Sequence, residues 1–297
     1  MKPFSAGLDD VLAGWGPGSP LAMADLYTFV LAGGETLRLS GAQIPISTGA
    51  FAATSVNAGV SATFALGPGF SRSKTRSDIG VQVGELDIAI NAGGNDRIGT
   101  LNWQQAMRIG LFDGAVVELD RAFMQPYGVV QGTAILFYGR TGEISVGRTR
   151  IDIKAVDMKD LLKIQMPRRL YQAGCNHIFG DVMCGFDRLS LAATVACLAG
   201  SSQAQIATGL SPSPATLYDQ GTIAGVTGQN AGYVRTVSRL LAGAAYLLKP
   251  FFFSIAAGDR FTLLPGCDHT VATCQGTFDN LGRYGGFPYI PPPETAL

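Results

Sequence analysis

Residues 79–90 read IGVQVGELDIAI, an apolar–polar alternation with Val81, Val83, Leu86 and Ile88 among its apolar positions. Successive side chains of a strand point to opposite faces, so such a segment buries one face and wets the other. The same period returns at AVVELDRAFM (115–124), GTAILFYG (132–139), GEISVG (142–147) and TRIDIKAV (149–156). LYTFVLAGGETLRLSG reads as two strands about a Gly-Gly turn, and GRTG (139–142) as the turn of a hairpin. The 39 glycines are scattered, not blocked, and punctuate these short segments. A chain interrupted this often leaves little room for long helices, and it predicts a mainly β (α+β) fold.

Two helices interrupt the strands. LNWQQAMRIGLF (101–112) spaces Leu101, Met107, Leu111 and Phe112 at roughly helical intervals. DMKDLLKIQ (157–165) is a second, stopped by Pro167. The domain boundary is expected there, giving residues 1–165 and 166–297. Strands resume at LSLAATVACL (189–198), AQIATGL (204–210), GYVRTVSRLL (232–241), AAYLLKPFFF (244–253) and GDRFTLLPG (258–266). Both parts are rich in short strands, so two small β-barrel-like domains with short helices are expected. The tail, with Pro at 291–293, is expected to be extended.

Composition narrows the function classes. With 22 basic and 22 acidic residues the chain is neutral, and it has no aromatic–basic interleaving, so no nucleic-acid footprint is expected. The densest basic cluster, SRSKTR (71–76), reads as a solvated loop. Only 15% of residues are charged against 47% apolar, which suits either a large core or surface reserved for an assembly. The N-terminus carries acids where a signal peptide needs an apolar run, and Lys249 and Pro250 break the longest apolar stretch (240–258). The expectation is a chain made inside the cell, without membrane insertion or structural disulfides.

Five cysteines remain. Cys197 lies in the apolar strand SLAATVACLAG and reads as a small core residue. Cys175 and Cys184 form a C-x8-C loop, and Cys267 and Cys274 a C-x6-C loop, each beside a strand. These are not the C-x2-C knuckles of zinc ribbons, nor the ferredoxin run. Four thiolates in two loops fit either an iron–sulfur cluster or tetrahedral zinc. His177 and His269 each follow a cysteine by two. Either could be a ligand or a hydrogen-bond donor to sulfur; since four cysteines already complete a site, both read as loop-packing imidazoles.

RRLYQAGCNHIFGDVMCGFD resembles the middle segment of a family of phage tail hub proteins. GDRFTLLPGCDHTVATCQGTFDNLGRYGGFPYIP is similar to that family's C-terminal signature, matched at Gly258, Asp259, Gly266, Cys267, Asp268, Thr273, Cys274, Phe278, Asn280, Gly286, Phe287, Pro288, Ile290 and Pro291. One departure is Pro-Pro where a Gly commonly follows. SDIGVQVGELDIAI and RIGLFDGAVVELDRAFM extend the likeness, more loosely, over most of the chain. The family occurs in siphophage tails and gene transfer agents.

The resemblance implies a structural baseplate hub at the virion tail tip, assembled in the bacterial cytoplasm. It implies a homotrimer whose two barrels per chain mimic sixfold symmetry. Its partners would be a distal tail ring, a central spike or fibre protein and the tape-measure terminus, with DNA passing through the lumen unbound. It also implies a [4Fe–4S] cluster on Cys175, Cys184, Cys267 and Cys274. The alternatives are a four-cysteine zinc site or a Cys–His cell-wall peptidase. The peptidase is disfavoured because the cysteines come as matched pairs, and an electron-transfer role because no nucleotide or flavin motif is present. No catalytic residue is assigned.

Overall fold

The computed structural model describes residues 4–16, 21–75, 83–164, 166–167 and 169–290. Ile79, Val81 and the prolines at 291–293 lie outside these. The chain separates into two compact units, Met1–Ile164 and Gln165–Leu297, and the fold is mainly β.

In the first unit α1 (Leu8–Ala13) precedes β1 (Ala22–Val30), β2 (Thr36–Ser40), β3 (Ile46–Thr48), β4 (Ala62–Leu66), β5 (Gly69–Arg72) and β6 (Glu85–Asn91). The short pair β7 (Arg97–Ile98) and β8 (Leu101–Asn102) leads into α2 (Trp103–Arg108), then β9 (Val116–Met124), β10 (Val130–Val146) and β11 (Arg150–Asp157). The main sheet runs β3-β4-β2-β1-β9-β10-β11-β6-β5. β1 is covered on both faces. Tyr27 and Phe29 join a core with Leu119, Ile151, Ile153 and Trp103. Leu26 joins a second core with Ile46, Phe64 and Met124 on the opposite face. This explains why β1 reads as an apolar run and not as an alternation.

The last strand curls back over the sheet. Phe70 of β5 stacks on Tyr27 of β1, ring centroids 4.4 Å apart, and Arg72 Nε donates to Asp25 Oδ2 at 2.7 Å. Arg121 donates to the other oxygen of Asp25 at 2.9 and 3.0 Å. No ladder joins β5 to β1, so side chains close this half-barrel.

Two local expectations change. GRTG is not a hairpin: β10 runs unbroken for 17 residues, with a register shift between Thr141 and Ile144. The glycines serve close packing instead, since a Cβ on Gly142 would lie 3.1 Å from Lys154 O. The hairpin falls later, where Gly147 N–H donates to Arg150 O at 2.8 Å. The 101–112 helix is also shorter than its periodicity suggests. Asn102 and Gln105 form a reciprocal capping box at its start, and Gly110, at φ 85°, turns the chain away after Arg108. Of the second expected helix, residues 157–164 are described, and they hold a 3-10 turn over Met158–Lys163; residue 165 lies outside the described residues.

The second unit carries β12 (Ala193–Ala196), β13 (Gln205–Ala207), β14 (Thr222–Gly225), β15 (Val234–Leu241), β16 (Ala244–Leu247) and β17 (Arg260–Leu264), ordered β12-β17-β14-β15-β16-β13 and antiparallel throughout. Ile206, Ile223, Val237, Phe251, Phe261 and Leu263 form its core. Cys197 belongs to this core, 2% exposed, its thiol donating to Ala256 O at 2.9 Å. Residues 166–192 precede the sheet; after it come α3 (Val271–Gly276) and a turn at Leu281–Arg283. Among the described residues no helix is long and apolar enough to cross a membrane.

A four-cysteine pocket between two loops

The segments flanking the second sheet are folded by their own short side chains. Asp181 draws its loop inward, accepting from Ile178 N–H at 3.2 Å and Cys184 N–H at 2.6 Å. The Cys184 amide bond is the main reason its carboxyl sits below the usual value. Asp268 plays the matching part in the other loop. It accepts from Thr270 N–H and Oγ1 at 3.0 and 2.9 Å and from Thr273 Oγ1 at 2.9 Å. Burial works to raise its pKa, but these bonds outweigh it and leave the carboxyl lowered. Thr270 caps α3, whose last turn holds Cys274.

The two loops are then stitched together. Cys175 N–H donates to His269 O at 3.0 Å, and Asn280 Nδ2 donates to Cys184 O at 2.8 Å. Asn176 Nδ2 reaches Gly285 O at 3.0 Å. The Tyr284 hydroxyl donates to Ala173 O at 2.6 Å and lies 3.1 Å from His269 O. A Cβ on Gly285 would sit 2.5 Å from His177 Nε2, so a larger residue there would push that ring aside. Phe179, Phe186 and Phe278 pack together beneath, with centroids 4.6 to 5.5 Å apart.

Cys175, Cys184, Cys267 and Cys274 all line the pocket so formed, with His177 and His269 also on its wall. The void among them is small. Its exposed lining is almost wholly apolar. Three of the sulfurs accept N–H groups: from Gly285 at 3.3 Å, His269 at 3.4 Å and Asn280 Nδ2 at 3.6 Å. The fourth thiol, Cys274, donates to Asn280 O at 3.4 Å. Burial raises the Cys267 thiol; the His269 amide lowers it by less, and Asp268 and then the Cys175 and Cys184 sulfurs add to the rise. Burial and then the other three sulfurs raise Cys274. All five cysteines are free thiols. Among the described residues, no three His, Cys, Asp or Glu side chains are arranged to hold a single metal ion.

The histidines do different work. His177 Nδ1 lies 3.1 Å from Arg283 O, which fixes its ring against the 280s loop. His269 contributes its backbone: with φ 61° it points its amide at Cys267 Sγ. Sequence reasoning passed over Asp181 and Tyr284. An Asp three residues before a cysteine and an aromatic among glycines have too many ordinary uses to stand out.

The family profile described as baseplate hub protein, N-terminal attachment domain, matches residues 5–187. A second, described as phage conserved hypothetical protein BR0599, matches residues 216–294. Among solved structures, a chain of the "Virion of native gene transfer agent (GTA) particle" aligns with a TM-score of 0.74 and 21% identity, over 97% of this chain and 94% of the other. At that identity the likeness is one of fold. No curated protein matches significantly.

Proposed function

Since the chain belongs to the baseplate hub proteins, matching their N-terminal attachment domain over residues 5–187, we propose that it is the structural hub of a phage or gene-transfer-agent tail. In this reading three copies close a ring at the tail tip. The ring docks on a distal tail ring on one side and a central spike or fibre protein on the other, with the tape-measure terminus and the passing DNA in its lumen. The half-barrel of the first unit and the six-stranded sheet of the second give each protomer two β faces, which suits a threefold ring meeting a sixfold tube. The family match is the observation that carries this reading. Reconstruction of the assembled tail tip tests it, and a copy number other than three removes the ring.

For the second unit we propose a [4Fe–4S] cluster on Cys175, Cys184, Cys267 and Cys274. Four free thiols around one small apolar void support it, as do the three N–H groups aimed at sulfur, the usual surroundings of cluster thiolates. In a zinc tetrahedron with ~2.3 Å bonds the sulfurs stand about 3.7 Å apart. A cubane cluster would hold them roughly 6–7 Å apart, so the sulfur spacing in a metal-loaded structure distinguishes the two. When bound, the cluster would cross-link the two loops in a reducing compartment where a disulfide would not last. The chain's own part is to present four thiolates, shield them from water and donate hydrogen bonds. A peptidase nucleophile needs a lowered thiol pKa, whereas Cys267 and Cys274 are raised. An absorbance spectrum of freshly purified protein with iron and zinc analysis decides the matter: about four irons per chain is expected, and zinc at one per chain replaces the cluster.

A further inference from the structure

Beside the cysteine pocket, and separate from it, lies an open groove in the second unit. Tyr171 and Phe287 form its aromatic face, centroids 4.1 Å apart, and Leu170 and Met183 add aliphatic surface. Tyr171 is 73% exposed and Phe287 44%, an unusual amount of aromatic surface to leave in water. Among the described residues that line it, Arg169 and Arg283 carry charge of one sign and none is Asp or Glu. Neither guanidinium makes a hydrogen bond or ion pair among the described residues.

We propose that this groove docks an acidic peptide segment of a protein partner, one that places an apolar or aromatic side chain on the Tyr171–Phe287 face and carboxylates on Arg169 and Arg283. Guanidinium groups pair with carboxylates through two parallel hydrogen bonds, and aromatic and Arg side chains are the commonest anchors at protein interfaces. A protein fits better than a nucleic acid, since among the described residues two arginines converge here and the chain as a whole is neutral. His177, Arg283 and Tyr284 line both the groove and the cysteine pocket, so the occupant lies across the outer wall of that pocket. The proposal does not depend on what metal the pocket holds.

The test uses the full chain and three labelled probes in fluorescence anisotropy: an acidic hexapeptide alternating Asp or Glu with Phe, its lysine counterpart, and a single-stranded oligonucleotide. The acidic peptide should bind at least tenfold more tightly than the lysine peptide at low salt, and the difference should shrink as salt screens the pairs. Arg169→Glu with Arg283→Glu should weaken it at least tenfold. Arg169→Gln, at a residue that does not line the cysteine pocket, should weaken it less, at unchanged melting temperature and metal content. Equal binding of both peptides, no effect of the arginine changes, or no binding at millimolar peptide overturns the proposal. Displacement of the acidic peptide by a lower concentration of oligonucleotide also overturns it, in favour of a nucleic acid.

Discussion

Asp120 of β9 is fully buried, and neither of its carboxylate oxygens has a hydrogen-bond partner among the described residues. Glu118, two residues earlier and equally buried, takes the donors instead: Ser55 Oγ at 2.5 Å and Val56 N–H at 3.1 and 3.2 Å. Burial, and then the Glu118 charge, lifts the Asp120 pKa from 3.8 to about 8. The folded chain therefore holds a proton that the unfolded chain releases above its ordinary carboxylate range. Stability of the first unit should be highest at acid pH and fall, by up to ~1.4 kcal/mol per pH unit, as pH rises towards about 8, levelling off beyond. Asp120→Asn, whose amide can donate to Glu118, should flatten that slope and raise the melting temperature near pH 8. Denaturation across a pH range spanning both values checks this, and parallel slopes for both proteins refute it. At the cysteines, Cys267→Ser or Cys274→Ser should abolish metal loading. The protein should then be insoluble or strongly destabilised, since structural metal sites contribute on the order of 10 kcal/mol. Cys197→Ser should keep its metal. A folded, metal-free Cys267→Ser protein melting at the parental temperature would count against a structural role. The sequence grouped four cysteines into two paired loops, and all four line one pocket; their spacing named no metal, and the cluster is our proposal. Asp120 was not legible, because an acid inside an alternating strand reads as its wet face until β3, β4 and the 49–60 segment are seen to cover it.

At the scale of elements, alternation located most strands, and close backbone approach decided what it missed. GEISVG and GTAILFYG became one strand because Gly139 and Gly142 sit against β11, where a Cβ would collide with Val156 O or crowd Lys154 O. AAYLLKPFFF gave a strand only over Ala244–Leu247. Pro250 has no N–H for a ladder, and Phe251 turns inward instead, 2% exposed. The closure of the half-barrel was not legible at all. It depends on Arg72 and Arg121, far apart in sequence, meeting at Asp25. This clasp is only partly exposed, with 13% of Arg72 and 21% of Asp25 accessible. Arg72→Ala should cost about 1–3 kcal/mol, as charged hydrogen bonds do, and Asp25→Ala more, because it strands two guanidinium groups. A double-mutant cycle by urea denaturation measures the coupling. A value near zero would leave the Tyr27–Phe70 stack alone to hold the seam.

For the whole molecule, each unit has its own core, so heat should unfold the chain in two steps and not one. Removing metal with a chelator should lower only the transition of the second unit. A uniform shift of both steps would show that the units are energetically one. The cysteine pocket has a further meaning at this scale. Cys184 precedes β12 and Cys267 follows β17, so the entire six-stranded sheet lies in the 82 residues between them. The hydrogen bonds from Cys175 to His269 and from Asn280 to Cys184 join the way in to the way out. Tension applied along the chain on either side of the second unit therefore crosses from one loop directly to the other, and the sheet carries none of it. Pulled in an optical trap, the unit should hold until the loops part, then give way in one step, releasing roughly 280 Å of extended chain. The sheet is thus slack cord behind a knot, and a baseplate built from such parts is as strong as its knots.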